Sequence, residues 1–100
     1  MDAYERFARC TGFDWDEGNV LKNWVKHRVT AAECEQIFFN RPLVIAEDVE
    51  HSQTEGRFFA LAQTDAGRLL VVVFTVRRNL IRVISARPMT KKERKEYEVS

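Results

Sequence analysis

No stretch of this sequence reaches the roughly 20 apolar residues that a membrane-spanning helix needs. The longest apolar run, Leu69 to Val76 with only Thr75 inside it, has the length of a buried strand. Residues 1–12 mix charges and contain no apolar signal core, so the expected location is the cytoplasm. Only two cysteines occur, Cys10 and Cys34, with no Cys-x-x-Cys pair and no Cys/His ligand set. In a reducing compartment that composition argues for idle thiols, not for a disulfide or a zinc site. Four glycines and two prolines leave no glycine-rich phosphate loop and no nucleophile elbow. Internal repeats, low-complexity tracts and linkers are also missing, and no metal or cofactor is expected.

What is present describes one folded domain. One hundred residues suffice for one modest core and are too few for two. A hydrophobic content of 45% with 31% charged residues is that of a folded protein and excludes disorder. The formal net charge of +1 hides a polarised chain. Residues 1–56 carry six basic and eleven acidic groups, whereas residues 77–100 carry eight Lys/Arg against three Glu. A face so charged concentrates phosphate-bearing ligands, which points to nucleic acid or an acidic protein.

The periodicity predicts an α+β order. Residues 1–12 form an extension, with a short helix from Ala3 to Arg9 or a loose arm, before a domain at 13–100. Phe13-Asp14-Trp15 reads as a short edge strand. Asp16 is placed to cap a helix whose Val20, Leu21, Trp24 and Val25 make an apolar face. Thr30-Ala31-Ala32-Glu33 is a capping box opening a second helix that closes at Ile37 and Phe38. The period then changes to two. Strands are expected at Leu43–Ala46, Arg57–Gln63, Leu69–Val76 and Leu80–Arg87, the last three forming an antiparallel meander. A second capping box, Thr90 to Glu93, starts a terminal helix. The expected architecture is a four-stranded antiparallel sheet, with or without the short N-terminal edge strand as a fifth, and with the helices on one face.

Arginines dominate the candidate chemistry. Strict alternation puts Arg82, Ile84 and Ala86 on one face and Arg87 on the other. The meander is expected to bring Arg57 and Arg87 to nearby sheet ends, where guanidinium forks can hold a phosphate and stabilise charge in a transition state. The plainer alternative pairs these arginines with Glu47, Asp48 or Glu55. Lys26 and His27 end the first long helix, where the dipole favours cations; an imidazolium there also suits a general acid or a phosphate contact. Lys91 and Lys92 stand in a first helical turn, where the dipole disfavours them, so a polyanion accounts for them better than local stability. Glu47 to His51 lacks the spacing of a calcium loop and reads as a solvated acidic run. Trp15 and Trp24 read as core or interface anchors. Glu93 is most simply the capping-box carboxylate, with a catalytic role beside Arg87 left open.

Taken together, the motifs resemble one family. Phe13-Asp14-Trp15-Asp16, Asn23 through Lys26-His27, Glu33 through Phe38, and Asp48 through His51 are the first matching pieces. Glu55-Gly56-Arg57-Phe58, Gly67-Arg68-Leu69-Leu70, Val73-Phe74-Thr75 with Arg77, Ile81 through Arg87, Glu93-Arg94 and Tyr97 follow. In this order they resemble the BrnT toxins of type II toxin–antitoxin modules. Family members usually carry glycine where Arg28 stands, and often near Ala62.

The resemblance implies a RelE-like fold and a metal-independent endoribonuclease that inhibits translation and growth. It implies Arg57 and Arg87 on the scissile phosphate and Lys26 or His27 in proton transfer. Arg77, Arg82, Lys91, Lys92 and Arg94 would then position the RNA. It further implies a small BrnA-like antitoxin that carries the DNA-binding function, so that operator DNA is reached only through that partner. The rival reading is a non-catalytic module of the same fold that binds nucleic acid or protein; intact RNA on induced expression would favour it. A metal enzyme built on Glu47 to His51 is a third reading, which activity in excess chelator would remove.

Overall fold

The computed structural model describes residues 3–51 and 56–99. Glu55, offered by the sequence as an arginine partner, lies outside the described residues, as do positions 52–54 of the same loop. The N-terminal extension is a helix, α1 (Ala3–Ala8), and its Ala3 and Phe7 pack on the main core. After it come strand β1 (Gly12–Phe13), helix α2 (Glu17–His27), helix α3 (Ala31–Ile37) and strand β2 (Val44–Glu47). The meander β3 (Arg57–Gln63), β4 (Leu69–Arg77) and β5 (Leu80–Pro88) leads to helix α4 (Lys91–Glu98). Both capping boxes form as the sequence requires, and Asp16 accepts from the Asn19 N–H.

Two expectations about the layers are overturned: the sheet is not wholly antiparallel, and the helices do not share one face. The sheet has five strands in the order β1-β5-β4-β3-β2, and it is mixed because β1 runs parallel to β5. The edge strand is Gly12–Phe13 instead of Phe13–Trp15, since Asp14 and Trp15 already turn toward α2. The helices also occupy both faces. Val29, Cys34, Ile37 and Phe38 from the α2–α3 region meet Phe58, Ala60, Leu70, Val72, Phe74, Ile81, Val83 and Ala86 in the main core. On the opposite face Met89 and Tyr97 cover Val71, with Phe59, Leu61 and Leu69 packed around them. The physical reason is that β3 and β4 are apolar on both sides, so each face needs its own cover. Burial raises the Cys34 thiol to about 12, which keeps it protonated and inert.

Helix α2 is inverted relative to its pattern. Its inner face is polar: the Asn19 side chain donates to the Val83 carbonyl at 3.2 Å, and the Ala86 N–H donates to Asn23 Oδ1 at 3.2 Å. These amides satisfy the edge of β5 that the two-residue β1 leaves uncovered. The apolar positions point outward, with Leu21 and Val25 each 62% exposed and Trp24 43% exposed. Arg28 ends α2 with φ of 54°, the left-handed cap conformation that glycine adopts most readily. Its N–H returns to the Asn23 and Trp24 carbonyls, and its guanidinium lies 5.0 Å over the Trp24 ring.

Candidate functional site

The register decides which arginines can cooperate. Arg57 pairs with Thr75, and Thr75 with Arg82, so these three form one row across the sheet. Arg87 instead pairs with Val71, which pairs with Leu61. Thr75 and Val71 are four residues apart on β4, which separates the two rows by about 13 Å along the strands. The expected proximity of Arg57 and Arg87 therefore fails: in an up-down-up meander the start of β3 and the end of β5 lie at opposite ends of the sheet.

A β-bulge corrects a second expectation. Val73 pairs with Ser85 and Phe74 with Val83, so Ile84 is the extra residue. Without it Arg82 and Arg87 would face opposite ways; with it both join Arg57 and Ser85 on the face that carries α4. The same shift keeps Ile81, Val83 and Ala86 in the main core.

At the Arg87 end, cations converge from three elements. Glu93 accepts from Arg87 Nη1 at 2.7 Å and from Nη2 at 2.9 Å, while Nη1 also donates to the Pro88 carbonyl at 3.2 Å. This occupies the end-on edge of the guanidinium and leaves the Nε and outer Nη2 hydrogens on its other edge for a ligand. The Arg87 side chain is 38% exposed, so that edge is reachable. Exposed Lys91, Lys92 and Arg94 follow on the first turns of α4. Helix α2 runs alongside β5 in the same direction, Asn19 level with Val83 and Asn23 with Ala86, so exposed Lys26 and His27 fall beside the strand's end. Arg68 clamps the end of α2 there: it donates to the Arg28 carbonyl at 2.7 Å, to the His27 carbonyl at 2.9 Å and to Glu33.

The Arg57 end is more fully compensated. Arg82 donates to Asp14 at 3.3 Å and to Asp16 at 3.2 Å, and Arg57 lies 3.7 Å from the buried Asp48 carboxylate. The simple pairing reading thus holds for Arg57 with Asp48, while Arg82 finds the carboxylates flanking Trp15. Arg77 is exposed at the end of β4, on the same face as Thr75. The run from Glu47 becomes a strand end, a buried ion-pair partner in Asp48 and a 3₁₀ turn at Val49–His51. Among the described residues no group of three His, Cys, Asp or Glu is arranged to hold a metal ion.

Glu93 frames the site: it closes the α4 capping box and holds Arg87. The Arg87 hydrogen bonds hold its carboxyl at about 2, with the Thr90 N–H adding to the effect. A carboxylate so stabilised is a poor proton acceptor near neutrality. Because the folded value lies below the unfolded one of about 4.3, this pair stabilises the fold above about pH 4.5 and is lost as pH falls toward 2. Urea midpoints at pH 7 and pH 3 should therefore differ less in Glu93→Gln than in the native chain. An equal difference in both would remove Glu93 as a source of acid lability.

A model of the ribonuclease toxin BrnT of type II toxin–antitoxin systems matches residues 15–93. The chain belongs to the BrnT family. The crystal structure of the Brucella abortus ribonuclease toxin BrnT has the same fold, with a TM-score of 0.61 at 19% identity. That match covers 81% of this chain and 99% of the other. A comparison with curated proteins finds no match. Helix α1 precedes the residues that the BrnT model matches.

In this BrnT-family chain the candidate residues divide between the two ends of the sheet. Arg87, Lys91, Lys92 and Arg94 lie at one end, with Lys26 and His27 beside it at the end of α2, and Arg57, Arg77 and Arg82 lie at the other. Sequence reasoning missed the supports: Asn19 and Asn23 on the strand edge, Glu93 as the orienting partner of Arg87, and Glu35, which accepts from the Trp15 indole at 2.7 Å. The polar pair at i and i+4 on the inner side of α2 was the available signal for the first two.

Proposed function

We propose that this chain is the toxin of a type II toxin–antitoxin module and a metal-independent endoribonuclease of the RelE-like kind, acting in the cytoplasm. The observation that carries the reading is the Arg87 guanidinium, oriented by Glu93 and open on one edge, at the end of β5 where α4 begins. Single-stranded RNA would lie along β5, with one phosphate on Arg87 and another near the Arg57–Arg82 row about 13 Å away. Arg77, Arg82, Lys91, Lys92 and Arg94 position the strand.

The reaction needs no group beyond the chain and the RNA. The 2′-oxygen attacks the adjacent phosphorus as its proton passes to a base, and the bond from phosphorus to the 5′-oxygen breaks as an acid supplies a proton. The products are a 2′,3′-cyclic phosphate and a 5′-hydroxyl. Lys26 or His27 serves in proton transfer, and Arg87 stabilises the charge that develops on the oxygens of the scissile phosphate, while Arg57, a row away, holds a neighbouring phosphate. The family also implies a small antitoxin, BrnA-like and DNA-binding, through which the complex reaches its operator.

Purified chain incubated with single-stranded RNA in excess chelator is expected to yield cyclic phosphate ends. Binding should weaken with salt at a logarithmic slope of roughly −0.7 per phosphate neutralised. Binding that shows this slope without any cleavage would favour the non-catalytic module. Cleavage that chelator abolishes would end the metal-independent mechanism.

A further inference from the structure

Among the described residues, the outward stripe of α2 groups three exposed large apolar side chains, Leu21, Trp24 and Val25, on one helix. The stripe runs Glu17, Leu21, Trp24 at steps of four and three residues, with Val25 beside it, and Arg28, just past the helix end, lies over the Trp24 ring. On a helix this spacing is a single seam, and it lies opposite the Asn19–Asn23 side that meets β5. The seam also borders a groove of about 320 Å³ lined by Trp15, Glu17, Val20, Leu21 and Trp24.

The seam reads the same in reverse. Turned end for end about its midpoint, Glu17 falls opposite Arg28, Leu21 opposite Trp24, and Val20 opposite Val25. Charge meets opposite charge at both ends, and apolar meets apolar in the middle. The helix dipole favours the same arrangement, since the acidic end is the N-terminus and the basic end the C-terminus. We propose that the α2 seam is a two-fold interface with a second copy of this chain, the two α2 helices packing antiparallel. A two-fold contact requires a self-complementary patch of this kind. One helix pair buries less than the roughly 800 Å² per partner of a standard interface, so the dimer is weak and concentration-dependent. The seam points away from β5, so the face bearing Arg57 and Arg87 stays open in the dimer.

Sedimentation velocity of the purified chain, from about micromolar to about millimolar, tests this. The native chain is expected to shift from monomer to dimer across that range. Leu21→Glu, on an exposed site, should weaken association at least about tenfold while the circular dichroism spectrum and melting temperature stay native. Glu17→Arg alone should also weaken it, and Glu17→Arg with Arg28→Glu should restore it, because the reversed charges again face each other. A monomer at all concentrations overturns the proposal. So does a dimer indifferent to Leu21→Glu, or a double variant no better than Glu17→Arg. A stripe covered only when a different protein is added would also overturn it and assign the surface to that partner.

Discussion

Arg87→Ala is expected to lower the rate of RNA cleavage by about 10²–10³-fold, the range seen when one preorganised donor to a developing oxyanion is removed. The size follows from how the guanidinium is held. Glu93 accepts from both terminal nitrogens, so Arg87 meets the phosphate with its rotamer already set and little entropy left to lose. Its raised proton affinity, due first to the Glu93 hydrogen bonds, keeps it a permanent cation. Arg87→Lys should recover only part of the rate, because an ammonium cannot present two parallel donors. Single-turnover cleavage with melting temperatures measures this. The Thr90–Glu93 capping box keeps its own partners in the variant, so α4 should persist. Full activity in a folded Arg87→Ala chain would remove Arg87 from the chemistry. Arg57→Ala is the companion measurement; its larger effect should fall on binding, since Arg57 sits a row away from Arg87.

Phe74→Ala carries the largest expected loss of stability, about 3–5 kcal/mol, typical of a buried phenylalanine cut to a methyl group. Phe74 is fully buried at the centre of β4. Its ring meets Phe38 edge-on at 5.2 Å and Phe58 at 5.5 Å, and Phe38 in turn touches Phe7 and Phe13. Truncation therefore opens a cavity where α1, α3, β1 and β3 all draw contacts, and such a site cannot collapse easily. For a domain of this size the melting temperature should fall by about 15 °C or more. A fall of only a few degrees in calorimetry would mean that the aromatic cluster repacks and does not hold these elements together.

The local structure was legible because local rules decide it. Asp16, Thr30 and Thr90 announce their helices through side chains that satisfy backbone donors within three residues. The strand at 57–63 follows from alternating burial, that at 80–88 from alternation broken once at its bulge, and that at 69–77 from an apolar run buried on both sides. The αL end of α2 at Arg28 had no local signal in this sequence, since arginine does not announce a positive φ. Candidate site residues were visible one at a time as charges without an obvious local duty.

What sequence alone determined about this protein is the type and order of its elements, the caps, and the concentration of positive charge after residue 76. These depend on neighbours a few positions apart. Tertiary structure decided the rest, because it depends on partners scores of residues away. The parallel pairing of β1 with β5, the bulge at Ile84 and the strand register set which arginines share a face and which lie rows apart. The same contacts set the orientation of α2: two asparagines met the open edge of β5, and the apolar stripe that periodicity marked out was left facing water.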